Sequence, residues 1–333
     1  MQGNRTMAPE WHDIDAVMLA WPHAHTDWAP WLEEARATYL NVIAAVNRNS
    51  AGVILLCAPD DVDSLVSRLP ENAQVLIVPA SYNDTWMRDY GFITCKDRDG
   101  NGSPVEFRFN GWGNKFNASE DNLANQRYLA AMCKSVLRSS PVVAEGGALE
   151  IDEDGHLLST AQCLLNPERN GDMSLGAYED AFKDMLGCSK VTVLQNGHLE
   201  GDDTDGHIDT IVRFTPNKGL VIQACNNRPN DSHFEGLKAL CDECALELPE
   251  HKQFHLPLPY IVNDEGDRLP ASYANYLICN KSILLPVYGE EEDAEAIETV
   301  QQAHPDHIVE PIDCSVLVRQ YGSLHCISMQ VPT

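Results

Sequence analysis

The chain has 333 residues, 44% of them hydrophobic and 22% charged, the balance of a globular protein with room for a large core. Fifty Asp and Glu against 23 Lys and Arg give a formal net charge of −27, a field that repels nucleic acid and anionic lipid and concentrates small cations. No apolar run approaches the roughly 18–20 residues of a membrane span. The start, Met1 to Glu10, lacks the apolar stretch of a secretory signal, so a cytoplasmic protein is expected.

Eleven cysteines, an odd number, favour reduced thiols over a disulfide framework. The only C-x-x-C, Cys241-Asp242-Glu243-Cys244, lies in a helical stretch with no second ligand pair at zinc spacing, and reads as two thiols on one helix face.

Taken in chain order, apolar periodicity predicts a helix over 32–47 and strands over 53–57 and 75–78. It then predicts helices over 122–136 and 177–186, and strands over 191–194 and 220–224. A helix over 234–246, a strand over 283–287, a helix over 293–303 and a short strand at 308–309 complete the pattern. The alternation argues for an α/β class. Val53-Ile54-Leu55-Leu56 leads through Asp60-Asp61 and a helix to Val75-Leu76-Ile77-Val78, and Ile283-Leu284-Leu285 leads through Glu290 to Asp293 and a helix to Ile308-Val309. The shared layout suggests repeated units of about 50 or more residues in one domain spanning 1–333.

Four segments carry chemistry. In Gly206-His207-Ile208-Asp209, ahead of the apolar Thr210 to Phe214, a strand would project His207 and Asp209 to one face. Asp202, Asp203 and Asp205 form a polar loop leading into it. Trp86-Met87-Arg88-Asp89-Tyr90-Gly91 pairs a carboxylate, Asp89, with aromatic faces suited to a flat or aliphatic ligand. Glu145-Gly146-Gly147-Ala148 reads as a tight turn whose glycines free Glu145 to point inward. Cys326 follows a glycine-containing bend, Tyr321 to His325, ahead of an apolar strand.

Each segment alone reads more simply as core or surface. Together they offer a thiol, an imidazole and paired carboxylates, a set able to hold a guanidinium and attack its carbon. His23-Ala24-His25 with Asp27 is a rival metal site, but its ligand set is incomplete.

W-M-R-D-Y-G, E-G-G-A, G-D-D-T-D-G-H-I-D and L-H-C, in that order, resemble the agmatine deiminase family. That family stands with the bacterial peptidylarginine deiminases in the wider guanidino-group-modifying superfamily. The likeness runs from Pro9-Glu10-Trp11 and Leu19-Ala20-Trp21-Pro22-His23, through Leu164-Leu165-Asn166-Pro167-Glu168-Arg169-Asn170, to Cys326.

The resemblance implies a pentein, a five-bladed β/α propeller of ββαβ repeats around a central channel. It also implies roles: Cys326 as nucleophile, His207 as general acid and base, Asp89 and Asp209 on the guanidinium, and Glu145 orienting the histidine. Trp86 and Asp203 are the further substrate-binding candidates, Asp203 for a distal ammonium. The implied reaction converts agmatine and water to N-carbamoylputrescine and ammonia, with peptidylarginine or another guanidino compound as the alternative substrate. No metal or organic cofactor is required, the expected partner is a small cationic substrate, and a homodimer is left open. Two positions depart from the family pattern. Gln320-Tyr321-Gly322-Ser323-Leu324-His325 stands where G-G-G-N-I-H is common, and Phe92 stands where Pro often follows the first motif.

Overall fold

The computed structural model describes residues 5–333. Met1 to Asn4, part of the stretch read for an export signal, lie outside the described residues. Five small mixed sheets are built on one plan, an antiparallel pair followed by a strand parallel to its second member. Ile14–Ala20 runs antiparallel to Met329–Pro332 and parallel to Gly52–Cys57, which in turn pairs with Val75–Pro79. The second sheet holds Ile93–Lys96, Gly102–Arg108 and Arg138–Val143, with Thr6–Met7 added at its edge. Glu150–Ile151, His156–Thr160 and Lys190–Leu194 form the third. Val212–Thr215, Gly219–Gln223 and Lys252–Leu256 form the fourth, and Leu277–Cys279, Ser282–Val287 and Ile308–Asp313 the fifth.

The parallel step in each sheet requires a crossover. Helices Leu32–Arg48, Leu175–Leu186, Phe234–Glu247 and Asp293–Ala303 supply it in four of the five units. Leu175–Leu186 begins with the Ser174 hydroxyl accepting from Ala177 N–H and ends at Gly187 in the left-handed region, so sequence punctuation acts at both ends of this helix. The C-terminal strand pairs with Ile14–Ala20, so the last strand of the chain completes the sheet that its first long strand begins. Helix Asp293–Ala303 and the central strand runs stand where periodicity placed them.

Residues 122–136 do not form the continuous helix expected. They break into short turns, Asp121–Leu123, Asn125–Leu129 and Ala130–Met132. Asparagine side chains here serve neighbouring segments instead: Asn122 accepts from Phe109 N–H, and Asn125 donates to the Tyr90 carbonyl and to Glu106. Such side chains compete with helical hydrogen bonding. Cys241 and Cys244 both point into the core from one helix, as the spacing suggested.

Each unit ends in a link to the next: residues 80–92, 144–149, 195–211, 257–276 and 314–328. These links, rather than the strands themselves, carry the candidate site.

Candidate active site

Asp89 comes from the first link, on the single helical turn Met87–Tyr90. Its neighbour Arg88 points the other way, to Glu10 at 3.0 Å and to Gln330, so the two do not form a surface pair. Asp89 Oδ1 accepts from Gly147 N–H at 3.0 Å and Oδ2 from the Trp112 indole at 2.9 Å. Burial, with Asp209 and Glu145 nearby, pushes its carboxyl up to about 6 against the pull of His207.

The Gly206-His207-Ile208-Asp209 segment is not the strand expected. Ile208–Thr210 make one tight turn, closed by Thr210 N–H and hydroxyl donating to the His207 carbonyl, and the strand starts at Val212. His207 and Asp209 therefore do not share a face by strand alternation. The turn sends them to different partners while keeping both buried. His207 Nδ1 lies 3.6 Å from Asp89 Oδ1 and Nε2 lies 3.8 Å from Glu145 Oε2. Burial would discharge this imidazole, yet Asp89, Cys163 and Glu145 around it hold its pKa well above the usual histidine value. Asp209 Oδ2 sits 2.7 Å from His325 Nδ1, and its Oδ1 has no partner. Burial disfavours the Asp209 charge, but the bond and charge of His325 outweigh it and hold the carboxyl low.

Gly147 is where these groups meet. A Cβ there would stand 2.6 Å from His207 Nδ1, 2.8 Å from Asp89 Oδ1 and 3.1 Å from Asp209 Oδ2. Only glycine leaves that space open.

Glu145 is fully buried and gripped through both oxygens by Arg169, at 2.9 and 3.1 Å. Arg169 also reaches Asp205 at 2.7 Å, so the arginine of L-L-N-P-E-R-N anchors both the glutamate and the acidic loop. Glu145, Cys163 and His207 offer three ligand atoms within 4.8 Å of one another, the one such group among the described residues. The grip of Arg169 commits the carboxylate elsewhere. His23 and His25 belong to no such group.

Cys326 lies in the turn before Met329–Pro332 and borders a cavity of about 200 Å³ together with Asp89, His207, Trp86 and Asp203. Burial, then Asp209 and Asp89, push its thiol well above the ordinary cysteine range. Trp86 closes over Gly322, where any side chain would overlap the indole at 2.2 Å. Asp27, Asp84, Asp202 and Asp203 line the cavity with Asp89, and neither Lys nor Arg does among the described residues. Burial pushes Asp84 and Asp203 each up to about 7, with Asp27 and Asp203 adding to the first and Asp202 to the second.

Behind the cavity, His325 bridges Asp209 and Glu10, at 2.7 Å to each. Glu10 meets Arg88 and Arg213, and Arg213 meets Glu150 at 2.9 Å. Reasoning from sequence missed Trp112, Glu10 and Asn275, whose Oδ1 lies 3.3 Å from Cys326 Sγ. All the predicted site residues otherwise converge here.

Five small mixed sheets, with four of the five links lining one acidic cavity, define a pentein, and the chain is a guanidino-group deiminase of that fold. It belongs to the Porphyromonas-type peptidyl-arginine deiminase family, which matches residues 6–332. A solved Porphyromonas gingivalis protein, provisionally named an arginine deiminase, is 39% identical with a TM-score of 0.91 over 99% of this chain and 98% of its own. A cysteine-to-serine agmatine deiminase from C. jejuni with substrate bound is 30% identical, with a TM-score of 0.91 over 99% of this chain and 96% of its own. A Pectobacterium atrosepticum protein provisionally named an agmatine deiminase is 30% identical over 360 residues, covering 100% of this chain and 96% of its own.

Proposed function

We propose that the chain hydrolyses agmatine to N-carbamoylputrescine and ammonia, with all five units serving one site and Cys326 as the nucleophile. The observation that carries this reading is the cavity wall, which sets five aspartates, with His207 but no Lys or Arg among the described residues, around the thiol. A guanidinium at one end and an ammonium at the other suit such a wall. Free arginine would bring an α-carboxylate with no cation to meet it, next to carboxyls that already resist ionisation.

Asp89 and Asp209 accept the guanidinium N–H groups and fix its plane, placing the central carbon before Cys326 Sγ. The arriving cation offsets the two charges that keep the sulfur protonated, so the thiol loses its proton to solvent as substrate binds. Thiolate attack forms the S–C bond and a tetrahedral adduct. His207, held protonated by its acidic neighbours, gives its proton to the departing nitrogen; the C–N bond breaks, ammonia leaves and an amidino-thioether remains. The neutral imidazole then takes a proton from water, whose oxygen attacks the same carbon. Collapse breaks the S–C bond and releases the carbamoyl product. Asp203, half-buried on the cavity wall, takes the distal ammonium, and Trp86 flanks the aliphatic chain.

Agmatine, arginine and a blocked peptidyl-arginine, assayed side by side for ammonia release, test the substrate. Agmatine should exceed both others in kcat/KM by about two orders of magnitude, since an unpaired buried carboxylate or an uncompensated acid costs at least that much. Arginine turnover equal to that of agmatine would overturn the assignment. Cys326→Ala should bind agmatine yet lower turnover about 10⁴-fold or more, and mass spectrometry of quenched wild-type enzyme should find the amidino adduct on Cys326.

A further inference from the structure

Asn275 plays no part in the mechanism above, yet its side chain touches the nucleophile turn three times. It lies in the link 257–276, is 1% exposed, and its Oδ1 accepts from His325 N–H at 3.0 Å and Cys326 N–H at 3.3 Å while standing 3.3 Å from Cys326 Sγ. The two backbone donors decide which end of the amide faces the turn. A flipped amide would aim its NH2 at two N–H groups. The atom beside the sulfur is therefore an acceptor, and it can bond only the protonated thiol. Nδ2 is left buried with no partner, a cost that native structures seldom carry without a reason.

We infer that Asn275 is a positioning residue for the nucleophile: its Oδ1 aims Cys326 Sγ through the thiol hydrogen and holds it protonated until a cation enters. The inference rests on Cys326 being the nucleophile. Asp89 and Asp209 face the sulfur and push it toward the protonated form, His207 lines the same cavity, and the Tyr288 hydroxyl approaches through its bond to Ser323. A hydrogen bond to the neutral form adds to the effect of the two carboxylates. Protonation in the empty site keeps a strong nucleophile from reacting before substrate neutralises the acids. It also ties loss of the proton to the arrival of the cation.

The test is the pH dependence of Cys326 alkylation by iodoacetamide, which requires thiolate, with the modified residue located by mass spectrometry. In Asn275→Ala the midpoint should fall by about half a unit to one unit, the size of one lost neutral hydrogen bond. The kcat should drop about tenfold or more while KM for agmatine stays within about twofold, because Asp89 and Asp209 are untouched. Asn275→Asp keeps every acceptor the turn uses and adds charge, so its midpoint should rise by about one unit. Midpoints at the wild-type value in both variants, or a rise in Asn275→Ala, would overturn the inference. Where the alanine variant does not fold, Asn275→Leu, which keeps the volume and removes the acceptor, takes its place: a lowered midpoint supports the role and an unchanged one removes it. Wild-type enzyme that still turns over after full alkylation of Cys326 would instead remove the nucleophile assignment, a distinct result.

Discussion

Asp89, which lines the cavity, and Asp209, which does not, are both buried and both near the missing side chain of Gly147, yet their charges are held in opposite ways. Asp209 rests on His325, with Glu10, Arg88 and Arg213 stacked behind it, and its carboxyl is held below the usual range. Asp89 takes two neutral N–H donors and has only His207 as a cationic neighbour, so burial wins and its carboxyl is pushed up to about 6. Two carboxylates asked to grip one cation thus differ in readiness. One is charged at every working pH, the other only once the pH passes its own threshold or a cation arrives. The protein supplies one fixed anion and leaves the second to be completed by substrate, which limits the repulsion stored in the empty site.

Substituting the two acids separately is the sharpest way to break this asymmetry. Asp209→Asn removes the fixed anion and leaves His325 and the buried network unbalanced, so kcat/KM for agmatine should fall about 10³-fold at pH 5.5 and pH 8 alike. Asp89→Asn should cost about 10²-fold at pH 8 and much less at pH 5.5, where the wild-type acid is itself largely protonated. The sign follows from the raised carboxyl: as pH falls through about 6, wild type loses the very charge that the variant lacks. Steady-state pH profiles of both variants check it, and parallel losses for the two would show the acids to be equivalent.

Gly147→Ala should come next in size. The added methyl would meet His207 Nδ1 and Asp89 Oδ1 well inside contact distance, so one of them must move. A shift of that order in a positioned group costs about tenfold to a hundredfold in kcat, while Asp209, with more room, keeps its bond to His325. Kinetics with a thermal melt as control measure it. The change should fall on kcat more than on the unfolding temperature.

The fold was legible where the physics is local. Apolar periodicity located the crossover helix Asp293–Ala303 and the strands on either side of it, because burial of one helix face or a whole strand leaves its mark within ten residues. Residues 122–136 show the limit: asparagines that serve Phe109, Tyr90 and Glu106 look, in sequence, like ordinary helix-surface residues. The site divides in the same way. Residues with acid–base or nucleophilic chemistry stood out and do converge, but the H-x-D pair is joined by a turn rather than by strand alternation. Glu10 escaped notice because its partners lie tens to hundreds of residues away. Asn275 escaped because an amide carries no charge to mark it. A signal was nevertheless present. Four of the five links between units held a candidate, and the link 257–276, with Asn275 between two tyrosines, was the one left without.

The smallest expected effect concerns stability, and it joins the two acids to the rest of the cavity. Asp84, Asp89 and Asp203 have carboxyls raised to about 7, 6 and 7 in the folded chain, against about 3.9 when unfolded. Between these values the native state binds protons that the unfolded state has released, so the stability they confer is present below about pH 4 and lost as pH rises through 6 to 7. Carboxyls held low, such as Asp209 and Glu145, act in the opposite sense, but only where pH falls toward their own depressed range. From pH 5 to pH 8 the empty protein should therefore melt a few degrees lower. A bound dication reverses the cause, because it supplies the charge that burial withholds. Melting Cys326→Ala with and without agmatine should show a larger gain at pH 8 than at pH 5. Equal gains at both would mean that the cavity acids are already ionised in the empty site, and the contrast between Asp89 and Asp209 would reduce to geometry.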